Sequence, residues 1–339
     1  MSKTDFSKLR VGIIGAGLMG RWHGSYATRL GSQLVAVLDR DAVLAERLAA
    51  KSGSDASVYT EMDAMLGHAG LDIVHICTPL DSHYLLASQA MNAGVHVIAE
   101  KPLAATFAET ETLLKMAAER DVKLCPVHQF GFQQGVFDAL AADHVLGELL
   151  QLRFTVASAG GENQAASVLD EIIADVIPHP LSILQRLRSG IELDTAHWSG
   201  VHSKNGELHL LGETNGIAID VYVSMNARPT RCEMELFYSK GKIKLNLFHG
   251  YALVETGNVS RMQKMLQPLK ISLQEFFVAG SNLAKRGLYK EPAYPGLKTL
   301  LEVFYNAVSA GTAPPISPDE IRAVAKARDD ISQRLLNLV

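Results

Sequence analysis

The chain has 339 residues, of which 47% are hydrophobic and 20% charged, with a formal net charge of −4. That length accommodates two ordinary domains with separate cores, and the composition is that of a globular protein. The mildly acidic balance gives no reason to expect nucleic acid or an acidic membrane as the main partner. No apolar stretch approaches the roughly 18 residues that a membrane span requires. The opening Met1–Phe6 lacks the apolar core of a signal peptide. The three cysteines, Cys77, Cys125 and Cys232, are far apart and odd in number. They read as buried thiols of a reducing, cytoplasmic compartment. No Cys/His cluster has metal-ligand spacing, so no metal is expected.

Up to about residue 125, short apolar runs alternate with helical patterns. Val11–Ile14, Leu34–Leu38, Asp72–Cys77, His96–Ala99 and Val122–Cys125 read as strands without polar alternation, as in a parallel sheet covered on both faces. Helical segments lie between them near Met19–Leu30, Ala42–Lys51, Ser82–Asn92 and Thr106–Arg120. The last opens on Thr106-Phe107-Ala108-Glu109, which has the form of a capping box. Repeated strand–helix units predict an α/β fold with an N-terminal Rossmann-type, doubly wound parallel sheet over residues 1–126.

The texture changes after Pro126. A helical pattern near Gln133–Leu146 precedes a strand-like Leu149–Ala157, and a further helix is predicted near Pro178–Arg188. From Thr195 to Val254 the pattern becomes strands with turn signals, and in Ile217–Ser224 the residues Ile217, Ile219, Val221 and Val223 share one side. That alternation predicts a C-terminal α+β domain over 127–339, on a mostly antiparallel sheet with one covered face. Its other face is expected to be buried against a second subunit, making the protein a homo-oligomer with a dimer as its smallest unit.

Two strings carry the chemistry. Gly15-Ala16-Gly17-Leu18-Met19-Gly20 directly follows Val11–Ile14. A strand running into a glycine turn and a helix presents backbone N–H groups, and the positive end of the helix, to a pyrophosphate. Asp39 ends the next strand 24 positions after Gly15, close to the roughly 20-residue offset at which an acid meets ribose hydroxyls. A carboxylate there favours NAD over NADP, while the adjacent Arg40 could accommodate a 2′-phosphate. Cys77-Thr78-Pro79, with His83 four residues beyond Pro79, closes the strand Asp72–Cys77, where a loop would lie over the nicotinamide half. The second string, Glu100-Lys101-Pro102, places a lysine at the carboxyl end of a later strand. Desolvation beside a cationic ring would lower the pKa of that amine toward the range useful for proton transfer.

In this order, Gly15–Gly20, Asp39, Cys77-Thr78-Pro79 with His83, and Glu100-Lys101-Pro102 resemble the glucose–fructose oxidoreductase and inositol dehydrogenase (Gfo/Idh/MocA) family. The resemblance implies that the E-K-P segment supplies an active-site lysine. It also implies a D-x-x-x-H element on a helix of the second domain, which Asp175-Val176-Ile177-Pro178-His179 matches. On one helix, Asp175 could orient and support the His179 imidazole. Pro178 and Pro180 favour a helix start near Pro178, with Asp175 in the preceding turn. Lys101, His179 and Asp175 are thus the catalytic candidates, and either Lys101 or His179 could move the proton. Gly15, Gly17, Leu18, Met19, Gly20, Asp39, Arg40, Thr78, Pro79, His83, Glu100 and Lys101 are the cofactor candidates.

The main departure is His128-Gln129-Phe130-Gly131-Phe132-Gln133, which lacks the arginine and proline of many sugar-active relatives. Phe130 and Phe132 read as core residues. Basic and apolar residues mingle from Ser260 to Lys290, as in helices that pack on their own sheet or a second subunit; the alternative is contact with a membrane surface or an apolar ligand. The resemblance implies an NAD(P)-dependent oxidoreductase acting on a sugar, polyol, nucleotide-sugar or related cyclic alcohol or ketone. Its rivals are a redox-neutral, NAD-retaining glycoside-cleaving enzyme and a non-catalytic dinucleotide sensor.

Overall fold

In the computed structural model, the apolar runs of the first third become strands whose residues are sealed on both faces. The structure describes residues 5–53, 55–67, 70–159, 162, 164–257, 261–289, 291 and 293–336, without the side chains of 261–264. Contacts divide the chain into one unit of Met1–His128 with Lys298–Ala325 and another of Gln129–Leu297 with Lys326–Val339.

In the first unit the order is β1 (Arg10–Ile14), α1 (Leu18–Leu30), β2 (Gln33–Leu38), α2 (Ala42–Lys51), β3 (Ser57–Tyr59), α3 (Met62–Leu66), β4 (Ile73–Ile76), α4 (His83–Asn92), β5 (His96–Ala99), α5 (Phe107–Glu119) and β6 (Leu124–Pro126). All pairings are parallel, in the order β3-β2-β1-β4-β5-β6. The strand order reverses at the β1/β4 boundary, where such sheets bind ligands at their carboxyl ends. Val11, Ile13, Ile14, Ile73, Ile76, Val97 and Ile98 are fully buried, because helices cover both faces of the sheet. The capping box forms as predicted: Thr106 Oγ1 accepts from the Glu109 amide and Glu109 accepts from the Thr106 amide.

The second unit contains α6 (Gln134–Leu146), β7 (Leu149–Ala157), α7 (Ala166–Val176), α8 (Pro178–Leu187), β8 (Ser199–Lys204), β9 (Glu207–Thr214), β10 (Ile217–Ser224), β11 (Arg231–Tyr238), β12 (Gly241–Asn246), β13 (Tyr251–Thr256) and α9 (Arg261–Leu288). Two further helices, α10 (Leu297–Ala310) and α11 (Pro318–Leu336), complete the chain. The second sheet runs β13-β12-β11-β7-β10-β9-β8. Every pairing is antiparallel except β7 with β10.

Alternation in this sheet sends Ile219, Val221, Met234, Leu236, Ile243 and Leu245 into the core. The opposite face differs from the sequence expectation of an apolar surface. Arg153 lies 3.2 Å from Asp220 and 3.7 Å from Glu235, Lys244 lies 3.4 Å from Glu233, and Lys242 also pairs with Glu235. Cross-strand charges of opposite sign hold that face together, with Val201, Leu211 and Tyr222 exposed among them.

Candidate active site

β1 delivers the chain to Gly15, whose φ of +92° suits glycine; a Cβ there would lie 2.7 Å from the Cys77 carbonyl oxygen. A Cβ on Gly20 would overlap the Gly15 carbonyl oxygen, so helix and turn approach closely only without a side chain. Gly17 is different, since a Cβ there would meet nothing within 4 Å. Its backbone faces open space at the start of α1, where no side chain caps the first amides. One glycine makes the turn, one leaves room for a phosphate, and one lets helix and strand pack, which fits a dinucleotide pyrophosphate. Leu18 and Met19 supply the adjoining amides of the first turn, Leu18 being exposed and Met19 half-buried.

Half-buried Asp39 follows β2, and its Oδ2 accepts from the Ala16 amide at 2.7 Å while Oδ1 accepts from the Asp41 amide at 2.9 Å. The carboxylate thus holds the glycine turn and stands beside it. Arg40 is exposed.

The loops after β4 and β5 are braced by His83. Its Nδ1 lies 2.8 Å from the Pro102 carbonyl oxygen and its Nε2 lies 2.9 Å from that of Thr78. Buried at the start of α4, His83 therefore ties the Thr78-Pro79 loop to the loop that carries half-buried Lys101. Ser82 Oγ adds a 2.7 Å bond to Thr78 Oγ1.

Glu100 turns inward and ends a buried polar chain that the sequence reading missed. Its Oε1 is 3.1 Å from His23 Nε2, His23 Nδ1 is 2.8 Å from His75 Nδ1, and His75 Nε2 is 2.8 Å from Tyr305 Oη. With both imidazoles neutral, one assignment gives every bond a donor and an acceptor. Tyr305 donates to His75 Nε2, His75 Nδ1–H donates to His23, and His23 Nε2–H donates to the Glu100 carboxylate. Burial pushes the His75 pKa well below the usual histidine range, consistent with a neutral ring. It also pushes the Tyr305 phenol and the Cys77 thiol up. The chain links α1, which springs from the glycine turn, to the loop holding Lys101. A sequence signal existed in His75, a polar residue inside an apolar strand.

Beside Lys101 lies His128, buried and with its pKa lowered to about 4, first by burial and then by the lysine ammonium. An unfolded histidine gains its proton near pH 6.5, so between that pH and about 4 the unfolded chain binds more protons than the native one. Stability should fall as the pH drops through this window, by up to about 3 kcal/mol from His128, and His75 acts in the same direction. His128→Asn should flatten the profile of urea-unfolding free energy between pH 7 and pH 4. Equal slopes for variant and wild type would contradict this assignment.

In the second unit, Asp175 lies in the last turn of α7 and His179 in the first turn of α8. Ile177 between them keeps helical φ and ψ, so the helix is interrupted chiefly where Pro178 lacks an N–H. Asp175 thus belongs to a helix and not to the turn expected from the prolines. The His179 ring, buried, stacks on Phe130 with centroids 4.3 Å apart and planes at 27°. Half-buried Phe130 is therefore a wall for the histidine, whereas Phe132 is core, with the Arg186 guanidinium 4.7 Å from its ring. Arg186 also packs against Gly131, bringing from α8 an arginine that the 128–133 segment itself lacks. Lys101 and His179 stand in different units. Among the described residues, no group of three or more His, Cys, Asp or Glu could hold a metal ion.

A family model described as an oxidoreductase family with an NAD-binding Rossmann fold matches residues 9–128. The chain is 38% identical over 120 residues to UDP-N-acetylglucosamine 3-dehydrogenase of Acidithiobacillus ferrooxidans, covering 35% of this chain and 37% of that protein. The chain thus spans little more than a third of the length of that relative. Inositol 2-dehydrogenase of Corynebacterium glutamicum is 30% identical over 244 residues, covering 67% of this chain and 68% of the relative. A crystal form of the Acidithiobacillus ferrooxidans enzyme shares the fold, with a TM-score of 0.73 at 22% identity over 96% of this chain and 97% of that one. With a relative matched along two thirds of its length, and with a family model that spans the glycine turn, Asp39 and the Glu100-Lys101-Pro102 loop, the chain belongs to the Gfo/Idh/MocA oxidoreductase family.

Proposed function

We propose that the protein is an NAD(P)-dependent dehydrogenase or reductase acting on a hydroxyl or carbonyl carbon of a sugar, polyol, nucleotide-sugar or related cyclic alcohol. The observation that carries this reading is the braced pair of loops in the first unit. The glycine cradle stands at the carboxyl end of β1, and His83 locks the Thr78 loop to the Lys101 loop at the ends of β4 and β5. A bound nicotinamide would supply hydride exchange with the substrate carbon. The Gly17–Gly20 amides would hold the pyrophosphate, Asp39 would take the adenosine ribose, and Lys101 and His179 would handle the hydroxyl proton, with Asp175 positioning the histidine or a substrate hydroxyl. The first domain is assigned the dinucleotide, and residues 127–339 the substrate and self-association into a homo-oligomer. A cytoplasmic location is supported by three free cysteines, two of them buried. No described helix is long and apolar enough to cross a membrane. Neither the glycoside-cleaving reading nor the sensor reading draws support from these contacts.

Cofactor choice is the first test. NADH should bind more tightly than NADPH. Asp39→Ala should weaken NADH binding by about 1–3 kcal/mol, the cost of charge-assisted hydrogen bonds left unmade, and should also loosen the Ala16 turn. Calorimetric titration that finds NADPH the tighter ligand of the wild type would assign the ribose end to Arg40 instead.

A further inference from the structure

A surface helix ordinarily buries its apolar stripe and shows its polar face to water. In α9 this arrangement is inverted. The helix lies along β13, an edge strand of the second sheet, and meets it with polar side chains. Gln274 Nε2 donates to the Val254 carbonyl at 3.1 Å, and Asn282 Nδ2 donates to the His249 carbonyl, just before β13, at 2.9 Å. An edge strand leaves backbone groups unpaired, and these call for polar partners. The apolar residues are turned outward as a result. Residues 266, 269, 273, 276, 280 and 283 recur at spacings of three and four, which puts them on one helix face. Leu266, Leu269, Leu273, Phe276, Phe277 and Leu283 are between 54% and 72% exposed. Together they expose on the order of 700 Å², more than the roughly 300–600 Å² of a monomer's usual largest patch.

The charge of this helix is the reverse of the chain's. The whole sequence carries a net −4, yet residues 261–290 hold six lysines and arginines against one acid, Glu275, a net of +5. Glu275 is half-buried and lies near Tyr251, on the sheet side. Lys270 and Lys285 are exposed, and among the described residues neither has an acidic partner. We propose that α9 docks the protein on an anionic lipid surface, lying in the plane of the interface with its stripe among the acyl chains and its lysines at the phosphates. Helices with leucine and phenylalanine on one face and basic residues beside them bind in this way, drawn by the negative potential of a cytoplasmic leaflet. The stripe runs about 26 Å from Leu266 to Leu283, and a bilayer accepts such a convex surface without a matching groove. Two α9 helices laid face to face would instead bring like net charges together. Val201, Leu211 and Tyr222 stand on β8, β9 and β10, toward the opposite edge of the sheet from β13, so self-association there leaves α9 free. Ser260 and Lys290, and the side chains of Arg261, Met262 and Lys264, lie outside the described residues and enter only as charges of the sequence. Docking goes beyond the dehydrogenase reading and does not depend on it.

The test is flotation of the full chain, at about 0.15 M salt, with vesicles of equal parts phosphatidylglycerol and phosphatidylcholine, and with vesicles of phosphatidylcholine alone. Wild type should float with the first. Its partitioning should fall at least about tenfold on the second, or at about 1 M salt, where charge is screened. Leu273→Asp with Phe276→Asp should remove flotation, with unchanged circular dichroism because both side chains are already exposed. Should that variant fail to fold, Phe276→Trp decides. Its emission should shift to the blue and be quenched by brominated phosphatidylglycerol, whereas wild type, whose Trp22 and Trp198 lie off α9, should not respond. A wild type that stays in the protein fraction, whether because a second copy covers the stripe or because nothing does, would overturn the proposal. So would flotation that is equal on both lipids or survives the double substitution, or a Phe276→Trp chain whose emission ignores the lipid. Turnover without lipid should be the same in wild type and the α9 variants, so a failure of docking and a failure of the dehydrogenase reading are read separately.

Discussion

Lys101→Ala should lower kcat by about 10²–10⁴-fold, the usual contribution of one general acid–base group, which corresponds to roughly 3–5 kcal/mol of barrier. Dinucleotide affinity should stay near wild type, because the pyrophosphate and ribose contacts are assigned to the glycine turn and Asp39. The loop itself should survive, since His83 holds it through the Pro102 carbonyl and not through the lysine side chain. His179→Ala should produce a loss of similar size. If the two residues serve one proton, the double variant loses less than the sum, as groups acting together are non-additive. Asp175→Asn should be milder, keeping shape while removing the charge that supports an imidazolium. Steady-state kinetics with a reactive substrate would decide. A dead Lys101→Ala enzyme beside a His179→Ala enzyme near wild-type rate would reduce His179 to a residue that packs on Phe130.

The glycine turn separates stability from binding within six residues. Gly20→Ala drives a Cβ into the Gly15 carbonyl, and backbone has no easy way to yield. A loss of about 3 kcal/mol or more is expected, seen as a Tm lower by roughly 6–12 °C. Gly17→Ala meets no protein atom, and at the N-cap of α1 the poorer capping by alanine costs about 1 kcal/mol, well below the cost at Gly20. Its Tm should fall less than that of Gly20→Ala, yet the added methyl occupies the approach of the pyrophosphate, so NADH affinity should drop at least about tenfold, or 1.4 kcal/mol. Thermal melts with and without NADH measure both effects. A Gly17→Ala protein that binds like wild type would remove the phosphate from this turn.

The first unit was legible because its strands are buried on both faces and therefore appear as unbroken apolar runs. The predicted strands and helices fall within two residues of those observed, apart from β3 and α3. β3 has three residues and α3 five, too short for periodicity to register. α7 was missed for another reason: its N-cap, Ala165, makes no side-chain cap, so the chain carries no start signal there. In the second sheet, alternation revealed which side chains point inward but not which strands meet. The parallel pairing of β10 with β7 joins residues 67 apart, as in Asp220 with Arg153, and no local pattern encodes that. The site divides in the same way. Gly15, Asp39 and Lys101 announce themselves by position relative to strands. The chain from Glu100 through His23 and His75 to Tyr305 draws one residue from each of four elements and has no spacing to detect. The orientation of α9 was hidden as well, because an amphipathic pattern is the same whichever face the protein turns outward.

The most direct measurement is hydride transfer by the purified full chain, supplied with NAD and a panel of nucleotide-sugars, glycosides and inositols carrying deuterium at ring carbons that bear hydroxyls. The predicted result is NADH formed in step with a ketone product, deuterium carried from the oxidised carbon to the nicotinamide, and loss of both signals in Lys101→Ala. Product formed without net NADH, or turnover equal in wild type and Lys101→Ala, would contradict it.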